Sequence, residues 1–117
     1  MIAVWVALGA VVGAPMRYLT DRAVRRRFAG RLPLGTLLVN LVAAFVLGVL
    51  TGATDLDPRA AALLGTGFCG ALSTWSTFAY EVVDLAGRRE QAVAAAYLAV
   101  TVLAGIGCAA LGWALAS

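Results

Sequence analysis

The sequence predicts an all-α membrane protein of four transmembrane helices, the third of them interrupted. Three observations carry this expectation. The 117 residues are 62% hydrophobic and only 13% charged, with a mean hydropathy of +0.92, too apolar for a soluble domain of this size. Four apolar stretches, 2–19, 34–52, 60–83 and 92–116, each approach the roughly 20 residues that span a hydrocarbon layer. Within the third, residues 65–81 read GTGFCGALSTWSTFAYE, where glycines adjoin a run of hydroxyls. In lipid, open backbone and clustered hydroxyls persist only where protein or a water-filled path satisfies them. The connections are too short for a soluble domain, so residues 1–117 form a single membrane domain.

Composition also excludes several chemistries. All nine basic residues are arginine and the chain has no histidine, so it has no imidazole for catalysis, proton relay or metal ligation. Cys69 and Cys108 lack CxxC spacing and sit in apolar runs, which reads as small buried hydrophobes. No acid, base and nucleophile converge in the spans, so an enzyme is not expected. Residues 1–16 lack the basic start of a signal peptide and are expected to stay as a span. Membrane lipid, and no nucleic acid, is the expected surrounding.

The first span carries Gly9 and Gly13 four apart, then Ala14, Arg17 and Tyr18. Small residues on one face let helix backbones approach closely in lipid. Pro15 is a candidate bend. Arg17, in the last turn, is placed either to snorkel to the headgroups or to bind carbonyls at a helix end. A basic loop follows over 21–33.

The second span opens on Pro33, Leu34, Gly35 and Thr36, a helix-start signal. Asn40 follows a turn later, where a carboxamide must spend its donors and acceptors on another helix or on a pore. An acidic turn spans 53–58. The third span ends near Glu81, which from the sequence reads as a solvated helix-end charge, and a charged turn spans 84–91. In the fourth, Tyr97, Thr101 and Gly105 share one helical stripe. It lines a narrow polar track or its hydroxyls bond back to their own helix. Gly105, Gly107 and Gly112 are expected to make tight contacts.

Arginine placement sets an expected orientation. Arg17, Arg22, Arg25, Arg26, Arg27 and Arg31 flank or fill the first connection and Arg88 and Arg89 the third, against Arg59 alone on the opposite side. The positive-inside rule puts the first and third connections in the cytoplasm and both termini outside.

Three motifs run through the chain in order. Gly9, Gly13, Ala14, Arg17 and Tyr18 form GxxxGAxxRY; Gly35, Thr36, Val39 and Asn40 form GTxxVN; and Gly67, Gly70, Ser73, Thr74, Ser76, Thr77 and Phe78 follow GxxGxLTTFSTF. Together they resemble the Fluc/CrcB fluoride channels over the whole chain. The resemblance implies an antiparallel dimer of dual-topology type in the cell membrane, with two pores along the subunit interface. It implies passive export of fluoride, which relieves fluoride toxicity, and a structural sodium ion at the dimer centre. Carried over by motif, the sodium rests on backbone carbonyls of Gly70 and Ser73. The implied fluoride lining is Asn40, Trp75, Ser76, Thr77, Phe78, Tyr97 and Thr101, with Arg17 and Glu81 as vestibule or helix-end charges.

Four positions depart from the family pattern. Trp75 replaces one of two pore phenylalanines, Ser73 a threonine, and Ala43 a glycine, while Gly105 leaves a gap in the hydroxyl stripe. A homodimer inserts the same chain both ways and needs little arginine bias. The bias here favours a heterodimer with an oppositely oriented paralogue over pairing with itself. Two alternatives are weighed. A small multidrug-resistance-type transporter needs an acid in the first span, and residues 2–20 contain none. A non-conducting membrane assembly subunit would use the glycine motifs for packing alone.

Overall fold

The structure, a computed structural model, describes residues 2–27, 33–53, 55–73 and 75–117, and at residues 75 and 76 the backbone alone. Among these residues the secondary structure is entirely helical. The elements are α1 (Ile2–Arg27), α2 (Leu34–Gly52), α3 (Pro58–Ala61), a π-helical segment (Ala62–Cys69), α4 (Gly70–Leu72), α5 (Trp75–Gly87) and α6 (Gln91–Ala116). Helices α1, α2 and α6 are each long and apolar enough to cross a membrane. The chain is a multi-pass membrane protein.

Helix α1 does not stop where the sequence places a basic loop. It runs through Asp21 to Arg27, past Pro15 and with no glycine or proline to end it. Alanine and arginine favour helix, and Arg25 Nε lies 3.1 Å from Asp21 Oδ2 one turn away. Three arginines in the last turn also complement the negative end of the helix dipole.

The third apolar stretch is not one helix. Asp57 caps α3, its carboxylate accepting from the Arg59 N–H at 2.9 Å, with Pro58 in the first turn, where its missing N–H costs nothing. The winding then widens to π over eight residues, returns to α for three, and leaves the helix at Ser73, whose backbone is extended (φ −79°, ψ 159°). Helix α5 restarts at Trp75. The hydroxyl run therefore coincides with a break.

Close backbone approach holds these pieces together. A Cβ on Gly9 would run into the Leu63 carbonyl, and one on Gly67 into the Val6 carbonyl, so α1 and the π segment meet main chain to main chain. Between α2 and α6, Gly48 lies on the Ala109 carbonyl and Gly112 on that of Phe45. Gly105 and Gly107 differ from the expectation: a Cβ on either would meet nothing within 4 Å, and Gly105 faces open space beside α2 rather than a packed backbone. Cys69 is fully buried with Val39, Ala43 and Leu72, while Cys108 is only half-buried. Ala43 thus fills core volume where the family pattern has glycine. Helices α5 and α6 are joined by a turn at Arg89, whose φ of 62° lies in the left-handed region.

Candidate functional site

The break in the third stretch opens one side of a groove of about 410 Å³. Asn40 from α2, Ser73 at the break, Phe78 from α5 and Thr101 and Gly105 from α6 all line it. Thr101 is 9% exposed, and its hydroxyl has no hydrogen-bond partner among the described residues. It therefore does not bond back to its own helix. A buried hydroxyl left this way costs free energy unless something else meets it. Ser73 behaves differently: its Oγ donates to the Cys69 carbonyl at 2.8 Å, and its N–H donates to the same oxygen at 2.9 Å.

Phe78 is 2% exposed. Its ring meets that of Tyr97 edge to face, centroids 5.1 Å apart and planes at 64°, an arrangement set by positive ring edges and negative faces. Leu85 and Ala94 complete this cluster and hold both aromatics in place.

Beside the groove lies a polar triad. The Tyr97 hydroxyl donates to Glu81 Oε1 at 3.1 Å, and Thr36 also hydrogen-bonds the Glu81 side chain. Glu81 does not end its helix, since α5 continues to Gly87. It is half-buried and bonded rather than a solvated end charge. Thr36, 5% exposed, is the residue that sequence reasoning missed as a site member. Its signal was present in the GTxxVN motif, where it was read as marking the helix start.

A second, smaller cleft of about 210 Å³ is lined by Arg17, Asp21, Arg25, Thr36 and Thr77. Thr77 faces this cleft and Phe78 the groove, because successive helical residues point about 100° apart. The lining expected from the sequence is thus divided: Asn40, Phe78 and Thr101 face the groove, Thr77 the cleft, and Tyr97 a third, apolar space with Leu34, Leu37 and Val100. The side chains of Trp75 and Ser76, and all of Thr74 and Arg31, lie outside the described residues.

At the break, a helix ending at Leu72 leaves the carbonyls of its last turn without in-helix donors. Gly70 sits in that turn, exposed, with nothing within 4 Å of where a Cβ would stand. Among the described residues no cluster of acidic, cysteine or histidine side chains could hold a metal. A cation at this point would rest on main-chain oxygens, which suit hard ions.

Comparison with known proteins gives a consistent family. The family model described as CrcB-like protein, Camphor Resistance (CrcB), matches residues 4–113. A Frankia casuarinae protein named fluoride-specific ion channel FluC 1 is 48% identical, covering 95% of this chain and 92% of its own. A Streptomyces avermitilis protein of the same name is 46% identical over 92% and 89%. A Rhodococcus jostii protein named fluoride-specific ion channel FluC 2 is 45% identical over the full length of both. These are the names of ion channels and not of enzymes. With three membrane-length helices, a broken third stretch and near full-length matches to these proteins, the chain belongs to the CrcB family.

Proposed function

We propose that this chain builds a fluoride-selective channel that lets fluoride leave the cytoplasm passively. One observation carries the reading: the buried Thr101 hydroxyl, without a partner among the described residues, on a groove that Asn40 and Phe78 also line. Fluoride is small and strongly hydrated, so a selective path must replace its water with hydrogen-bond donors and positive ring edges. Thr101 supplies a hydroxyl, Asn40 an amide and Phe78 a ring edge. The other proposed lining groups are Trp75, Ser76, Thr77 and Tyr97. The names of the relatives support fluoride as the ion.

Outward flow follows from acid chemistry. Hydrogen fluoride crosses membranes, dissociates in a less acidic cytoplasm and traps the anion there. A passive path suffices to empty it.

The working unit is an antiparallel dimer of four-span chains, with residues 58–87 as the broken third span. A groove walled by one chain is open on its far side, and a second chain closes it. Exposed Gly70 supports the break as the meeting point. Carbonyls of Gly70 and Ser73 would hold a structural sodium ion, which would supply fixed positive charge at the break. The arginine bias supports insertion with both termini outside and an oppositely oriented paralogue as partner. The occurrence of FluC 1 and FluC 2 among the relatives agrees with paired paralogues.

A fluoride-electrode efflux assay on proteoliposomes tests this. The chain with its paralogue should release fluoride and exclude chloride. No release, with or without the paralogue, would reject the channel reading.

A further inference from the structure

Next to the arginine-lined cleft, with which it shares Tyr18, Asp21 and Arg25, the end of α1 carries a second charged surface. Helix α1 has 26 residues, about 39 Å at 1.5 Å per residue, whereas the hydrocarbon layer is about 30 Å thick. Its apolar part ends at Leu19, so the turns from Asp21 to Arg27 stand at headgroup level. There a groove of about 480 Å³ is lined by Tyr18, Asp21, Arg22, Arg25 and Arg26.

The charges in this groove are unequal. Arg25 is paired with Asp21 at 3.1 Å. Arg22 and Arg26 are exposed, lie one turn apart on the same face, and form no ion pair among the described residues. Two guanidiniums at this spacing offer several parallel N–H donors to the oxygens of one phosphate. Tyr18, 63% exposed just below them, has the apolar body and polar tip of a residue that sits at the membrane boundary. Position, charge and the aromatic flank point to the same occupant.

We infer that this groove binds the headgroup of an anionic phospholipid, its phosphate on Arg22 and Arg26 and its upper acyl chain against Tyr18. The chemistry is that of any phosphate, but the flanking aromatic and the depth favour a lipid over a soluble anion. Occupancy would anchor the basic end of α1 to one leaflet and so add to the orientation that the arginine count sets.

Native mass spectrometry of the purified chain with phosphatidylglycerol or phosphatidylcholine tests the inference. The unaltered chain should retain phosphatidylglycerol preferentially. R22Q/R26Q should lose that preference, at about fivefold per arginine, R22K/R26K should keep most of it, and R59Q at the opposite connection should not change it. Equal retention of the two lipids, or a preference unchanged in R22Q/R26Q, would overturn the assignment. So would displacement of the lipid by millimolar inorganic phosphate, which would make the site one for a soluble anion.

Discussion

The Tyr97 hydroxyl donates to Glu81 Oε1 at 3.1 Å, tying α6 to α5 through residues 16 apart in sequence. Thr36 bonds the same carboxylate from α2. One side chain therefore ties together α2, α5 and α6. Replacing Tyr97 with Phe keeps the ring contact to Phe78 and removes the hydroxyl. It should destabilise the chain by about 1 to 3 kcal/mol, the cost of leaving a partly buried acceptor short of its donor, as measured by denaturation in detergent. Glu81→Gln, which retains an acceptor for Tyr97, should cost less.

Thr101→Val separates conduction from folding. The hydroxyl is buried without a partner among the described residues, so an isosteric methyl removes a desolvation cost. Stability should be unchanged or raised by about 1 kcal/mol. If Thr101 serves the ion, fluoride flux should nonetheless fall severalfold. Flux equal to that of the unaltered chain would remove Thr101 from the lining.

Phe78→Ile and Asn40→Asp should each abolish flux in liposomes. The first takes away the polar ring edge, and the second sets a negative charge against the anion. Unaltered flux in both would reject the groove as the path.

The glycines of α6 should respond oppositely to alanine. Gly112→Ala drives a Cβ into the Phe45 carbonyl and should cost about 1 to 3 kcal/mol through forced separation of α2 and α6. Gly107→Ala meets open space and should be neutral or stabilising by up to about 1 kcal/mol. Thermal unfolding of the two variants side by side checks this. A marked loss at Gly107 would mean that another chain packs there.

Sodium dependence tests the break. If carbonyls of Gly70 and Ser73 hold the ion, exchange of sodium for a large organic cation should lower both dimer content and flux, and sodium should restore them. Indifference in both measurements would leave the break without a metal role.

The sequence by itself determined the membrane class, the long apolar helices and the point where the third stretch leaves the helix. These depend on local properties. Apolar length sets a span, and a Gly-and-hydroxyl run such as 65–77 marks backbone that cannot stay regular in lipid. The family was legible for the same reason, since GxxxGAxxRY and GTxxVN are contiguous words. The end of α1 was not, because the charged residues 21–27 read as loop by polarity while their intrinsic preference and the Asp21–Arg25 pair continue the helix. Only the tertiary structure decided that Thr36, Glu81 and Tyr97 meet, that Thr77 and Phe78 face different cavities, and that Gly112 packs while Gly107 does not. Each of those depends on how helices cross, and a crossing is set by backbone approach between segments far apart in the chain, which periodicity along one segment does not encode.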